Sequence, residues 1–275
     1  MKRFIRNVQL ASLSGLFVFG LTSAAMANTL FVPSQYAQIQ DAINAAQEGD
    51  TVFVEAGQYE IIDAIHMKEK VNLIGADNQS VVLNGLDEAQ PVIYGASNSM
   101  LAGFKIIKQV SMIGPPNYGI AILADHVRQM VIKNNIITGH MLNGISLYHS
   151  HFNVVENNIV KASAATKAIQ QGLHLESSSY NYILNNSVAG FSAGIYSIFG
   201  TNNKMEHNFA RHLPVSSWQS SGGAIHLFNE HDSELLNNTC INMTPNLTPG
   251  AGLLLEFPQN IQVNNCLIYG KRQGL

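Results

Sequence analysis

Histidine, tyrosine and glutamate recur at matching positions of short apolar segments in the second half of the chain. The segments read GLHLE at 172–176, GIY at 194–196 and GAIHLF at 223–228. Imidazole and carboxylate groups can transfer protons or bind hydroxyl groups, and aromatic rings offer flat apolar faces to sugar rings. This chemistry predicts a carbohydrate site. We take as candidate catalytic residues His174, Glu176, Tyr196 and His226, and as candidate substrate-binding residues Tyr148, Phe228, Glu256 and Trp218.

These segments belong to a pattern that repeats about six times between residues 118 and 275. Each copy opens at a glycine and ends at an asparagine pair or its remnant, as in GISLY at 144–148 followed by VENNIV at 155–160. A period of 22 to 29 residues is typical of a solenoid, and the alternation of apolar and polar residues is that of strands. The opening glycines are Gly119, Gly144, Gly172, Gly194, Gly223 and Gly252.

Alternation along each repeated strand predicts which side chains face inward. Ile145, Leu147 and their equivalents are expected in the core, so the residues between them face outward. With stacked coils about 4.8 Å apart, neighbouring outward residues could contact one ligand. The expected outward ladder contains Ala121, Ser146, Tyr148, His174, Glu176, Tyr196, His226, Phe228, Leu254 and Glu256.

The asparagine pairs have two expected roles. Asparagine tolerates the left-handed backbone conformation of a sharp bend, and its amide can donate and accept hydrogen bonds at once. Stacked pairs are therefore expected to form a ladder of amides, with Asn157 as its representative. The pairs are 134–135, 157–158, 185–186, 207–208 (where histidine replaces the first asparagine), 237–238 and 264–265.

The glycine-to-asparagine copies resemble the repeats of the right-handed parallel β-helix, or pectin-lyase-like, superfamily. This resemblance implies an all-β fold, a single-stranded right-handed parallel β-helix (a solenoid) with an N-terminal capping α-helix. It covers most of residues 28–275 and is most regular over 118–275. The superfamily holds lyases, hydrolases, epimerases, esterases and non-catalytic binders, so the resemblance does not select a reaction.

Residues 33–60 are expected to form the cap and the first coil. Ser34 could cap a helix that places apolar residues on one face and ends at Gly49. Such a helix would cover the open strand edges and the apolar interior of the first coil. The stretch also looks like the amino-terminal signature of many secreted β-helix proteins, and we interpret its Asp50 and Tyr59 as structural.

Residues 1–27 read as a secretory signal peptide. Three basic residues precede an apolar run at 10–21, too short to span a bilayer, and AMA at 25–27 supplies a cleavage site. Cleavage would leave 12 basic and 18 acidic residues, a net charge of −6. This charge disfavours nucleic acid and anionic membrane as partners. We expect a secreted or periplasmic monomer of one domain, residues 28–275, whose partner is a polysaccharide.

The spacing of the carboxylates limits the reactions that the ladder could catalyse. A glycosidase needs two carboxyl groups about 5 to 9.5 Å apart. Glu176 and Glu256 are three coils apart, about 14 Å between backbones, so they form a poor hydrolytic pair. A lyase or epimerase acting on a uronic acid needs a base and a group that neutralises the sugar carboxylate. Histidine or Tyr196 could be the base, but no lysine or arginine occupies the ladder, so the reaction stays open.

Two other functions also stay open, a metal-handling protein and a non-catalytic structural or adhesive solenoid. The superfamily resemblance extends to periplasmic copper-handling proteins, and the chain has ten histidines. His149 and His151 would point to one side if extended, and His174 and His226 could share an ion across Tyr196. No compact metal-binding motif appears, so no residue is assigned as a metal ligand and no cofactor is named.

The two cysteines, Cys240 and Cys266, lie 26 residues apart, about one coil. Cys240 follows its asparagine pair by two positions and Cys266 by one, so we expect them to be out of register. A disulfide is therefore not expected, although export would permit one.

Overall fold

The computed structural model describes residues 26–110, 119–163, 170–212, 222–242 and 250–269. Most of the expected signal peptide, residues 1–25, and the candidate binding residue Trp218 lie outside these ranges. In the described ranges the chain forms 27 strands and one helix. No helix within these ranges is long and apolar enough to cross a membrane.

The elements follow one another in short steps. The helix, α1, spans Ile39–Ala45. The strands in chain order are β1 Thr29–Val32, β2 Thr51–Val54, β3 Gly57–Ile61, β4 Ile65–His66, β5 Asn72–Gly75, β6 Val81–Gly85, β7 Ile93–Tyr94, β8 Met100–Ala102, β9 Lys105–Gln109, β10 Ile120–Asp125, β11 Val131–Lys133, β12 Ile136–His140, β13 Asn143–Tyr148, β14 Val154–Glu156, β15 Ile159–Ala162, β16 Gln171–Glu176, β17 Tyr182–Leu184, β18 Ser187–Phe191, β19 Ala193–Ile198, β20 Lys204–Glu206, β21 Phe209–His212, β22 Gly222–Phe228, β23 Glu234–Leu236, β24 Thr239–Asn242, β25 Gly250–Glu256, β26 Gln262–Asn264 and β27 Leu267–Tyr269.

These strands stack into three parallel sheets that run along a solenoid. Each full coil contributes one strand to sheet A, then one to sheet B and one to sheet C. The all-β parallel solenoid predicted from the repeats is confirmed. Sheet A contains β1, β2, β5, β8, β11, β14, β17, β20, β23 and β26; sheet B contains β3, β6, β9, β12, β15, β18, β21, β24 and β27; sheet C contains β4, β7, β10, β13, β16, β19, β22 and β25.

The core is a column of stacked apolar layers inside the three sheets. Ile145 pairs with Leu173, which pairs with Ile195, so the same inward position is apolar coil after coil. Ile145 and Leu147 are both buried, as predicted. Burying a side chain of this size stabilises the fold by about 1.5–3 kcal/mol relative to leaving it exposed.

The register of β10 in sheet C differs by two positions from the predicted register. Ile122 pairs with Ile145, and Leu123 stands opposite Ser146. Ala121 is therefore not part of the outward ladder, and it is buried in the core. The expectation was wrong because Gly119 lies in a turn with φ +71°, whereas Gly144 lies within β13.

The two asparagines of each pair have different roles. Asn157 has φ +55° and is exposed, so it makes the bend between sheets A and B. The buried neighbour Asn158 makes the ladder, since its Nδ2 donates to Oδ1 of Asn186 at 3.0 Å. Choosing Asn157 to represent the ladder was therefore wrong. The buried ladder runs through Asn135, Asn158, Asn186, Asn208 and Asn238.

The last asparagine pair was assigned one position too early. Leu236 pairs with Asn264, so Asn265 makes the bend and Cys266 stands opposite Asn238. The other cysteine, Cys240, lies in β24 opposite Ile268. Both cysteines are free, as expected from their different registers.

The N-terminal cap covers the first coil, but its helix is shorter than predicted. The helix begins at Ile39, and β1 precedes it as the edge strand of sheet A. Ser34 does not cap the helix, because its backbone N–H and hydroxyl both donate to the Glu55 carboxylate. Ile39 and Ile43 of the helix are buried in the core, as an end cap requires.

Asp50 and Tyr59 have structural contacts. The Asp50 carboxylate accepts the backbone N–H groups of Asn28 and Gln47, both at 2.7 Å, and these bonds hold its pKa below the usual value. The Tyr59 hydroxyl donates to the Glu55 carbonyl at 2.9 Å. Asp50 thus ties the start of β1 to the segment after the helix, whereas the Tyr59 bond lies within the first coil.

Candidate functional site

The register of sheet C brings the predicted histidines and tyrosines together. His174 pairs with Tyr196, and Tyr196 pairs with His226. The Tyr196 ring lies between the two imidazoles, with ring centroids 5.4 Å from His174 and 4.8 Å from His226. Tyr148 meets the edge of His174, its ring nearly perpendicular at 5.2 Å. We refer to Tyr148, His174, Tyr196 and His226 as the ring column.

Hydrogen bonds orient the His174 imidazole. The Tyr148 hydroxyl lies 3.2 Å from Nδ1, and the Asn143 amide nitrogen lies 3.4 Å from it. An amide N–H can only donate, so Nδ1 is the acceptor and the ring proton belongs on Nε2. This Nε2 is buried and has no hydrogen-bond partner among the described residues. The nearest carboxylate, that of Glu176, lies 3.8 Å away.

The His226 imidazole is held by a carboxylate from the next coil. Its Nε2 lies 2.6 Å from Oε2 of Glu256. Glu256 pairs with Phe228, whose ring meets Phe257 and Phe199 edge to face at 5.5 and 5.9 Å. The second row of the site thus runs from the carboxylate of Glu176 through Ile198 and the ring of Phe228 to the carboxylate of Glu256.

Burial determines the protonation of the ring column. Burial lowers the pKa of His174 to about 4, and it also lowers the pKa of His226, against the opposing effect of Glu256. Burial raises the pKa of Tyr148 and of Tyr196, with nearby glutamates as the next cause. At neutral pH the column therefore presents neutral imidazole at His174 and protonated phenols, which are hydrogen-bonding groups without charge.

The outward direction of the histidines was predicted correctly, but their exposure is small. His174 is 7% exposed and His226 is 8% exposed. Neighbouring rings and carboxylates cover their faces, so only edges of the column reach solvent. Seven of the eight predicted site residues lie together on sheet C, and the eighth, Trp218, lies outside the described residues. Asn143, which supports His174, was not predicted, although an asparagine directly before the opening glycine was the available signal.

The strand register confirms that Glu176 and Glu256 are three coils apart. Glu176 pairs with Ile198, Ile198 with Phe228, and Phe228 with Glu256. Three steps of about 4.8 Å place their backbones about 14 Å apart. Two carboxylates on strands this far apart form a poor hydrolytic pair.

A second group of polar side chains lies at the corner that follows sheet C. The Asp125 carboxylate lies 2.8 Å from Nδ1 of His126 and 3.8 Å from Nδ1 of His149, and the two imidazoles are stacked at 4.9 Å. One donor atom from each of the three residues falls within 4.8 Å of the others. Two imidazoles and a carboxylate are a donor set that divalent copper or zinc accepts.

This group differs from the histidine pairs considered in the sequence. His149 has φ +46°, so the segment is not extended and His151 points elsewhere. The Nδ1 of His151 accepts the backbone N–H of Ser179 at 3.1 Å. His174 and His226 cannot share one ion, because the Tyr196 ring lies between them. His126 was missed, although its place beside Asp125 and one coil before His149 was the signal.

Known structures share the fold. ORF18 of Geobacillus virus E2 matches with a TM-score of 0.60 and 11% identity over 86% of this chain and 53% of that one. The Family 28 exopolygalacturonase of Yersinia enterocolitica matches with a TM-score of 0.51 and 10% identity over 88% and 78%. The A-module of the mannuronan C-5 epimerase AlgE6 of Azotobacter vinelandii matches with a TM-score of 0.50 and 14% identity over 83% and 81%. At these identities the likeness extends to the fold alone.

Family comparisons cover most of the chain. Residues 160–275 match the family described as right handed beta helix region, which confirms the superfamily resemblance. No curated protein matches the chain by sequence. Residues 39–212, more than half of the chain, match the family described as periplasmic copper-binding protein (NosD). The chain therefore belongs to this NosD family of right-handed β-helix proteins.

Proposed function

We propose that the outward face of sheet C binds a polysaccharide along the ring column. The observation that carries the proposal is the buried Nε2–H of His174, a donor without a partner among the described residues, inside a row of aromatic rings. A buried donor without a partner costs roughly 1–3 kcal/mol. A ligand oxygen that displaces the side chains covering Nε2 and accepts its hydrogen bond would recover that loss. The ring edges that reach solvent supply apolar surface for sugar C–H groups beside it.

The polysaccharide that suits this surface is neutral. No lysine or arginine lies in the described strands of sheet C, so nothing there would neutralise the carboxylate of a uronic acid. The carboxylates of Glu176 and Glu256 would repel such a group and instead accept hydrogen bonds from sugar hydroxyls. Because the column crosses four coils, a chain of several sugars contacts more of it than a single sugar does.

Binding is the activity that we propose, since Glu176 and Glu256 lie three coils apart, a poor spacing for a hydrolytic pair. A reaction at this site would draw on His226, whose imidazole is held by Glu256 at 2.6 Å, as the proton-transfer group. His174, Glu176 and Tyr196 would then position the sugar around it. The protein would act in the periplasm or outside the cell, given the family's description and the expected signal peptide.

A glycan panel tests this proposal. The purified protein is screened against neutral and acidic polysaccharides, and absorbance near the ultraviolet band of unsaturated sugars reports any elimination product. Affinity for the best neutral glycan is then compared among the wild type, Tyr196→Ala and His174→Ala, with Tyr269→Ala as a control on exposed sheet B. Both column variants should lose at least about tenfold in affinity, which is about 1.4 kcal/mol. Wild-type affinity in both variants, or a preference of the protein for polyuronates, would show that the site does not lie on sheet C.

A second candidate function is copper binding at Asp125, His126 and His149. The donor atoms already lie within 4.8 Å of one another, and the family is described as copper-binding. We propose that the three residues hold Cu(II) through two imidazole nitrogens and one carboxylate oxygen. Titration with Cu(II) followed by electron paramagnetic resonance should show nitrogen ligation that His149→Ala loses and His207→Ala, another exposed histidine, keeps. An unchanged spectrum in His149→Ala would exclude this site.

A further inference from the structure

A cleft on a different face of the solenoid is independent of the ring column. It has a volume of 480 Å³ and lies over sheet A and the corner that leads into it. Its walls include the rings of Tyr180 and Tyr182, which are 45% and 49% exposed, and the carboxylates of Asp232 and Glu234. The solenoid core needs none of these four side chains.

The cleft exists because a stack of rings stops partway along the corner. Phe152 and Tyr180 occupy equivalent positions in successive coils and stack at 5.0 Å with their planes 13° apart. The same position carries Asn202 in the next coil and Asp232 in the one after, both with φ near +50°. These side chains are much shorter than a tyrosine. The face of Tyr180 that looks away from Phe152 therefore borders open space instead of another ring.

The charge around this open face is negative. Lys204 is the basic residue of the cleft, and its ammonium group forms an ion pair with the Glu206 carboxylate at 3.0 Å. Asp232 accepts a hydrogen bond from the Asn260 amide at 2.6 Å, which leaves its charge in place. Neither Asp232 nor Glu234 forms an ion pair with a basic side chain in the described ranges. An exposed aromatic face next to two carboxylates favours an organic cation.

We infer that this cleft binds an amino-bearing sugar unit, a hexosamine with a free ammonium group. The flat C–H face of the sugar would lie on Tyr180, with Tyr182 beside it. The ammonium group would donate to Asp232 and Glu234. This cleft lies on a different face from the ring column, and the inference does not depend on the function proposed for that column.

Two matched oligosaccharides test the inference by calorimetry. The probes are the β-1,4-linked tetramer of glucosamine and its fully N-acetylated counterpart, which has the same rings but no charge. The glucosamine tetramer should bind at least about tenfold more tightly, and added salt should weaken its binding because the contacts are ionic. Equal affinity for the two tetramers, or no binding of either, would overturn the inference.

Variants locate the binding. Tyr180→Ala and the double variant Asp232→Asn, Glu234→Gln should each weaken binding of the glucosamine tetramer about tenfold or more. Tyr269→Ala, an equally drastic change on exposed sheet B, should leave it unchanged. Retained affinity in Tyr180→Ala, or an equal loss of affinity in Tyr269→Ala, would show that the tetramer does not occupy this cleft. Failure of the neutral-glycan screen on sheet C would leave this result untouched, since the two tests use different probes and different residues.

Discussion

Inside the solenoid, the carboxylate of Glu230 fills the space that Gly200 leaves by lacking a side chain. Its Oε2 lies 2.7 Å from the position of a Cβ on residue 200, and it accepts the backbone N–H of Gly200 at 3.1 Å. The carboxylate also accepts the hydroxyls of Ser197 and Ser233 and the amide of Asn203. It therefore ends a second buried ladder, in which Asn153 donates to Asn181 and Asn181 to Asn203.

Replacing Glu230 by glutamine should lower the free energy of unfolding by about 1–3 kcal/mol. An amide has one donating end, and every group around this carboxylate has a hydrogen to donate, so one contact becomes donor against donor. Urea denaturation measures the change, with Glu60→Gln on the exposed surface as the control. A loss no larger than in the control would show that a charged acceptor is not needed there.

Neighbouring asparagines 157 and 158 should respond differently to substitution. Asn158→Ala removes an amide that joins two buried neighbours, and we expect a loss of roughly 1–3 kcal/mol in the free energy of unfolding. Asn157→Gly keeps the left-handed bend at φ +55° and should change stability by no more than about 0.5 kcal/mol. Thermal and urea unfolding of the two variants compare them directly. The reverse order of stability would contradict the division between bend and ladder.

The free energy of unfolding should decrease as the pH is lowered, because His174 titrates differently in the folded and the unfolded chain. Its pKa is lowered to about 4 in the folded protein because burial disfavours the imidazolium ion. Unfolded histidine titrates near 6.5, so between about pH 6.5 and 4 the unfolded chain binds a proton that the folded chain does not. The stabilisation is complete above that window and declines through it by about 3 kcal/mol. Urea denaturation of the wild type and of His174→Gln from pH 7 to 4 should show a steeper decline in the wild type, and parallel curves would refute this origin.

Removal of residues 29–50 should cause self-association. This deletion takes away β1 and α1, so the edge of β2 and the core beside Val52 become exposed. Unpaired strand edges next to apolar surface associate with one another. Light scattering measures the mass of the truncated protein. A monodisperse monomer with the circular dichroism of the full chain would show that the cap is dispensable.

Most of the fold could be predicted because a solenoid repeats one local rule. Apolar residues such as Ile145 recur at every coil, and parallel strands of like sequence align in register when their apolar layers coincide. The same alignment correctly placed His174, Tyr196 and His226 in one line. The rule failed at Gly119, because this glycine lies in a turn and not in a strand. The predicted alignment of β10 was therefore wrong by two positions.

The side-chain clusters that lie at the corners between sheets could not be predicted from strand alternation. Asp125, His126 and His149 meet because His126 and His149 have left-handed backbone conformations, which cancel the strand alternation used to assign directions. The cleft beside Tyr180 depends on the same kind of corner. Alternation describes side-chain direction only where the chain is extended.

The sequence by itself determined the period, the strand alternation and the residues that share the outward face of sheet C, because these follow from local patterns. Only the tertiary structure decided which asparagine of each pair is buried, which carboxylate lies inside the solenoid and which rings leave a face open. Those outcomes depend on contacts between coils more than 20 residues apart, as between Asn158 and Asn186 or Gly200 and Glu230. Each such contact requires both partners and the space between them, and neither residue specifies it alone.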